Sequence, residues 1–159
     1  MIEEPVLILV ATVGGTATYV ADEMADKLRA KGIKPFVVQM EKAALKMFET
    51  RKLFIICAST QGTGDLPDNA QPFFDALQGE RPDLTGVRFG TVALGDMTYS
   101  ASFCGGGRQF DEIFAELGAT RIVERLEHDR VAGGYPEEAA LEWLDGWLDA
   151  AAGNRVSNA

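Results

Sequence analysis

Continuous apolar runs alternate along this chain with stretches in which apolar residues recur at helical spacing. Residues 5–11 and 52–58 are apolar almost throughout, a pattern typical of strands that are buried on both faces of a sheet. Between these runs, apolar residues recur every four positions over residues 16–31, which predicts a helix that Gly32 ends. Buried strands that are joined through a helix indicate a parallel sheet with crossover connections.

The same alternation continues to the end of the chain and predicts one α/β domain. Further strands are expected at residues 33–40, 87–94 and 120–126, further helices at residues 68–78, 107–117 and 136–151, and a short helical connector at residues 41–48. Asp68 is expected to cap the second helix, and the last helix to bury a stripe that includes Trp143 and Trp147. We therefore predict a single domain over residues 1–152, followed by a flexible tail at residues 153–159.

The charge of the chain is strongly negative and unevenly distributed. The net charge of −9 argues against nucleic acid as a partner, because phosphate backbones are bound by basic patches. Residues 27–52 hold eight basic and two acidic residues, a local balance of +6 that leaves −15 on the rest of the chain. This polarity could steer a basic partner to one face, or it could simply be a solvated surface; both interpretations stay open.

Targeting and metal signals are weak. The longest apolar runs are too short to span a bilayer, and the first residues lack the positive charge of a signal peptide. Cys57 and Cys104 do not have a redox or metal-binding spacing, and a single histidine, His128, excludes a multi-histidine metal site. We expect a cytoplasmic protein with free thiols and no membrane or metal partner.

Three unusual loops carry the candidate chemistry, and the fold should gather them at the carboxyl edge of the sheet. The loop after the first strand opens a helix and contains Thr12, Val13, Gly14, Gly15, Thr16, Ala17 and Thr18. Such a loop suits a phosphate, which backbone N–H groups and the helix dipole would bind, although it could also be a plain tight turn. It lacks the lysine of a nucleotide-hydrolysing P-loop and the G-x-G-x-x-G fingerprint of dinucleotide binding.

The other two loops could surround a flat ligand. The loop after the third strand begins with Ser59, Thr60, Gln61, Gly62, Thr63 and Gly64, whose glycines allow close approach of the backbone. The loop after the fourth strand includes Leu94, Gly95, Asp96, Tyr99, Phe103, Cys104 and Gly105. Tyr99 lies where a planar ring would need a stacking partner, although a lone loop tyrosine is more often a surface or packing residue.

These loops resemble the cofactor loops of a known family. Residues 58–74 (ASTQGTGDLPDNAQPFF) are similar to the second flavin loop of flavodoxins and of the FMN domains of diflavin reductases, and residues 93–110 (ALGDMTYSASFCGGGRQF) are similar to the third. All three loops match in order and spacing over residues 5–150, most closely those of small single-domain flavodoxins. The resemblance implies a doubly wound, five-stranded parallel sheet of order 2-1-3-4-5 with helices on both faces and FMN at its carboxyl edge.

The resemblance also implies roles for individual residues. Residues 12–17 would bind the FMN phosphate, residues 59–64 would contact the isoalloxazine ring, and Tyr99 would stack on its outer face, with the rest of the third loop around it. Gln61 stands where many relatives have an aromatic residue. The Gly62–Thr63 peptide would turn when FMN is reduced. The implied protein is a monomeric, low-potential electron carrier without catalytic residues, which would pass electrons from a basic-surfaced flavodoxin or ferredoxin reductase to acceptor enzymes.

Three alternatives belong to other functional classes. An NAD(P)H-dependent FMN or quinone reductase would need a nicotinamide site and usually a basic patch, and none is visible near the loops. A phosphoacceptor receiver domain needs acidic residues after the first strand and an aspartate after the third, where this chain has Thr12 and Ser59. A flavin-free interaction module would show no flavin absorbance even after addition of FMN.

Overall fold

A parallel sheet forms the centre of the molecule. The computed structural model describes residues 2–12, 14–59, 66–95, 105–129 and 134–153. Its strands are β1 (Val6–Ala11), β2 (Pro35–Gln39), β3 (Leu53–Ala58), β4 (Arg88–Gly95), β5 (Thr120–Arg121) and β6 (Leu126–Asp129). The order β2-β1-β3-β4-β5, with β6 also paired to β4, confirms the predicted parallel topology.

Helices cover both faces of this sheet. They are α1 (Thr16–Ala30), α2 (Gln71–Glu80), α3 (Gly105–Glu116) and α4 (Pro136–Ala151), and two 3-10 turns, Met40–Lys42 and Leu45–Glu49, follow β2. The side chains of β1 alternate between the two layers. Leu7 and Leu9 pack with α2 and α3, whereas Val6, Ile8 and Val10 pack with α1 and α4. The continuous apolar run of β1 therefore reflects burial on both faces, as predicted.

Two glycines let the helices approach β4 closely. A Cβ atom at Gly90 would lie 2.5 Å from the indole of Trp147, and one at Gly107 of α3 would overlap Ala93. Trp147 is fully buried against Gly90, whereas Trp143 is only partly buried, which corrects the expectation that both tryptophans are core residues. Small residues on β4 thus set the distance between the sheet and both helix layers.

The predicted fifth strand is interrupted, so the described sheet has six strands and not five. Arg88 pairs with Thr120, but Val92 pairs with Leu126, so two extra residues lie between the two paired segments. The insertion is even in number, so the side chains keep their alternation between the faces. Trp143 Nε1 donates a hydrogen bond to the carbonyl oxygen of Glu124 at 3.0 Å, which gives the interrupted backbone a partner outside the sheet.

Several boundaries differ from the predicted ones. Helix α2 begins at Gln71, and Asp68 lies in the turn before it, so Asp68 is not the cap; Ala70 holds that position without a side-chain hydrogen bond. Pro72 suits the first turn, because its missing N–H would have no helical partner there. Gly95 ends β4 and Gly105 begins α3, so both expected loop residues belong to regular elements.

Candidate cofactor site at the carboxyl edge of the sheet

Strands β1 and β3 end in register, and β4 and β6 continue two residues further, at the edge where the loops of interest begin. Ala11 of β1 pairs with Ala58 of β3, Ala58 pairs with Ala93 of β4, and Ala93 pairs with Glu127 of β6. Adjacent strands lie about 4.8 Å apart, so the first and third loops start roughly 10 Å from one another. The structure therefore brings the starts of the three predicted loops to one edge.

The loop between β1 and α1 has a backbone that requires glycine. Gly14 and Gly15 adopt left-handed conformations, with φ of 70° and 89°. Nothing lies within 4 Å of a Cβ built on either residue, so their dihedral angles, and not a lack of space, favour glycine here. Thr12 Oγ1 accepts a hydrogen bond from the Gly15 amide at 3.1 Å, and the Gly15 carbonyl accepts one from the Tyr19 amide at 3.0 Å. These bonds close the loop and start the helix.

The electrostatics of this helix start favour an anion. The first turn of α1 contains no acidic residue, and Gly15 provides no side-chain cap. Thr16 is exposed and Ala17 is buried, so small residues surround the first amides. The first N–H groups of a helix carry partial positive charge and have no partner within the helix. The described part of the loop therefore has groups that fit a phosphate, and the binding of one by these residues stays a prediction.

The basic residues of α1 lie far from this end. Lys27 Nζ contacts Asp145 at 2.8 Å and the carbonyl oxygen of Leu141 at 3.1 Å. At 1.5 Å rise per residue, Lys27 is about 16 Å along the helix from Thr16. A phosphate at this loop would therefore receive hydrogen bonds and the helix dipole, but no direct charge from Lys27 or Arg29, the basic residues of α1.

Asn69 links the loops, and the sequence analysis missed it. Its Oδ1 accepts a hydrogen bond from the Thr12 amide at 3.1 Å, and its Nδ2 lies 3.2 Å from the carbonyl oxygen of Val10. The same Nδ2 lies 2.9 Å from Glu41 Oε1 and 3.3 Å from Gln39 Oε1. The signal in the sequence was limited to a single asparagine after a glycine-rich loop, which by itself indicates only a turn.

The start of the second loop is buried. Ser59 is buried, and its amide donates to the Ala11 carbonyl at 2.8 Å. Beneath it, the fully buried Cys57 thiol lies 3.4 Å from the carbonyl oxygen of Ala17, and burial raises the pKa of this thiol to about 12. Cys57 is therefore a protonated packing residue, because a reactive cysteine needs a depressed pKa.

The base of the third loop is held by ion pairs. Leu94 is buried near the end of β4. Beyond the loop, Arg108 of α3 binds Glu127 of β6 through two hydrogen bonds of 2.9 and 3.0 Å. Arg108 first, and then Arg125, hold the pKa of Glu127 down at about 2, against the opposing effect of burial. The start of α3 is thus tied to the interrupted edge of the sheet.

The remaining predicted site residues lie outside the described part of the chain. They are Val13, Thr60, Gln61, Gly62, Thr63, Gly64, Asp96, Tyr99, Phe103 and Cys104. Their roles stay predictions. Within the described ranges, no cluster of three or more histidine, cysteine or acidic residues could hold a metal ion. In the same ranges, no helix is long and apolar enough to cross a bilayer.

Comparisons with known proteins define the class to which this fold and site belong. A flavodoxin family model matches residues 8–143. Protein MioC of Escherichia coli (strain K12) is 37% identical over 146 residues, which are 90% of this chain and 95% of that protein. Flavodoxin YqcA of the same organism is 34% identical over 140 residues, which are 88% of this chain and 93% of that protein.

The solved structures agree. The structure of a cysteine-to-alanine mutant of flavodoxin from Pseudomonas aeruginosa has a TM-score of 0.84 and 34% identity, and the match covers 94% of this chain and 99% of that one. The chain therefore belongs to the flavodoxin family, whose members bind FMN and carry electrons. The family expectation from the sequence is confirmed.

Proposed function

We propose that this protein carries electrons through one FMN whose phosphate lies on the loop between β1 and α1. The isoalloxazine ring would lie between the second and third loops, with Tyr99 on its outer face. The observation that carries this assignment is the left-handed pair Gly14 and Gly15 at a helix start without acidic residues, in the loop that follows β1 at the carboxyl edge of the sheet. Bound FMN supplies one- and two-electron redox chemistry, and the chain's residues bind and orient it.

The proposal includes no substrate of the protein's own. Its partners would be a basic-surfaced reductase that donates electrons and enzymes that accept them, and the protein would act as a cytoplasmic monomer. The free, buried thiol of Cys57 agrees with a reducing compartment. The loop between β1 and α1 would bind the FMN phosphate through backbone N–H groups and the helix dipole, an arrangement that suits a cofactor that stays bound.

Negative charge near the carboxyl edge supports a basic partner. Helices α1 and α4 both follow parallel strands and pack side by side, with Lys27 against Asp145 in their later turns. The carboxylates of Glu23 first, and then of Glu137, raise the pKa of Tyr19, so the acidic first turn of α4 lies beside the start of α1. The basic residues Lys27 and Lys31 instead contact Asp145 far from this edge.

The binding experiment is a titration of apoprotein with FMN, FAD and riboflavin, followed by visible absorbance and by quenching of flavin fluorescence. We expect one FMN per chain and a preference for FMN over the other two flavins. The protein should not consume NADPH in the presence of a quinone unless a reductase is added. A preference for FAD would contradict the assignment, and NADPH consumption without a reductase would favour the reductase alternative.

Electrostatic steering has its own test. The second-order rate of reduction by a basic reductase should fall as salt increases, because exposed charges are screened over about 10 Å at 0.1 M ionic strength. Glu138→Gln, in the first turn of α4, should lower this rate more than the control Asp149→Asn, which is about 16 Å further along the same helix. Equal effects, or a rate independent of salt, would contradict steering at this edge.

A further inference from the structure

Asn69 occupies a central position between the first two loops. Its carboxamide contacts the backbone at Val10 of β1 and at Thr12 just after it, and the side chains of Gln39, which ends β2, and of Glu41. These partners are 28 to 59 residues away in sequence. A half-buried amide with partners on two distant segments is more than a local turn residue.

The segment that contains the second loop is attached to β1 at both ends. At its start, the Ser59 amide donates to the Ala11 carbonyl at 2.8 Å. At its end, Asn69 accepts from the Thr12 amide and donates toward the Val10 carbonyl. Three consecutive residues at the end of β1 and the start of the phosphate loop therefore hold both ends of residues 59–69.

The same contacts extend into the phosphate loop. Thr12, whose amide Asn69 binds, uses its own Oγ1 to accept from the Gly15 amide at 3.1 Å. Gln39, which is 3.3 Å from Asn69 Nδ2, donates to Thr18 Oγ1 in the first turn of α1 at 3.0 Å. Hydrogen bonds thus run from Asn69 to both sides of the left-handed Gly14–Gly15 turn.

We propose that Asn69 is a positioning residue that couples the phosphate subsite to the second flavin loop. This inference rests on the proposed binding of FMN. Because one side chain anchors the phosphate loop and the end of the segment that contains the second loop, a phosphate binds to a loop that is already formed. Less ordering of the backbone then remains when the ligand binds. Without Asn69, the phosphate loop must be ordered by the ligand itself. The phosphate then contributes less to affinity.

The ratio of FMN to riboflavin affinity tests this coupling, because the two ligands differ only in the phosphate. Both dissociation constants are measured by quenching of flavin fluorescence, for the wild-type protein, Asn69→Ala and the control Gln71→Ala. Gln71 is an exposed amide two residues away, and its Nε2 donates to Asp75 Oδ1 of its own helix at 2.9 Å. We expect Asn69→Ala to weaken FMN binding about tenfold, which equals about 1.4 kcal/mol. Riboflavin binding should weaken less than threefold in the same variant, and Gln71→Ala should change neither dissociation constant.

The outcomes separate this inference from its alternatives. An equal loss of affinity for FMN and riboflavin, or no loss of affinity for either, would overturn the coupling role and leave Asn69 a stabilising residue. If Asn69→Ala does not fold, as judged by circular dichroism, Gln39→Ala takes its place, since Gln39 joins Asn69 to Thr18. That variant should lower the FMN preference about threefold, and an unchanged preference would overturn the coupling. Failure of the wild-type protein to bind FMN would overturn the proposed function itself.

Discussion

Asp111 is the buried charge on which the interrupted edge of the sheet depends. Its side chain is fully buried in α3, where it accepts a hydrogen bond from Thr91 Oγ1 at 3.0 Å. Arg121 and Arg125 each pair with it at 2.7 Å, one from β5 and one from the insertion before β6. Removal of Asp111 leaves these partners without the carboxylate that holds β5, the insertion and β4 together.

The expected cost follows from what the partners retain. Loss of one member of a fully buried ion pair costs about 3–5 kcal/mol. Arg125 would keep Glu127 at 2.7 Å, and Arg121 would keep the ring of Phe89, 5.9 Å from its Cζ. Both guanidinium groups also have access to water, with side chains 37% and 27% exposed. We therefore expect Asp111→Ala to lower the free energy of unfolding by about 2–3 kcal/mol.

Urea unfolding of the apoprotein at pH 7, followed by far-ultraviolet circular dichroism, measures this change. The matched control is Asp26→Ala, which removes an exposed aspartate 3.0 Å from Arg29 on α1 and should cost less than about 0.5 kcal/mol. Asp111→Asn keeps the shape but not the charge, and it should still cost more than about 1 kcal/mol. If Asp111→Ala matched the Asp26→Ala control, the buried network would contribute nothing to stability.

The remaining predictions concern the loops and their supports. Gly15→Ala strains a residue with φ of 89°, so it should destabilise the protein by about 1 kcal/mol and weaken FMN binding. The control Gly79→Ala lies in a helix and should be neutral or stabilising; thermal unfolding and FMN titration measure both variants. Glu127 has a pKa of about 2 in the folded protein, so its contribution to stability is present above about pH 4.5 and is lost as pH falls toward 2. The difference in urea midpoint between wild type and Glu127→Gln should therefore disappear near pH 2, and a difference that is constant with pH would contradict the ion pair. Tyr99→Ala should weaken FMN by about 1–3 kcal/mol if the ring stacks on the flavin, and an unchanged dissociation constant would show that it does not.

The elements predicted well from sequence are those whose signal lies in neighbouring residues. Helix α4 has the predicted bounds, 136–151, because Pro136 suits a first turn and apolar residues follow at helical spacing. Strands β1 and β3 read as apolar runs because both of their faces are covered. The Gly14–Gly15 turn was also predictable, since its left-handed backbone leaves a direct mark on residue type.

The pairing of distant polar groups depends on the folded arrangement and not on any local sequence pattern. No local pattern indicates that Asn69 binds Thr12, 57 residues earlier, or that Trp143 supplies the hydrogen bond that accommodates the insertion at Glu124. In the sequence, Asp111 looks like a surface residue of an amphipathic helix, and only the fold shows that two arginines from the sheet edge pair with it. Hydrophobic periodicity records which face of an element is buried, but a buried polar group is stable only through partners that the fold brings to it. The layers and the positions of the loops could therefore be predicted from local patterns, whereas the side chains that hold those loops together could be identified only from the fold.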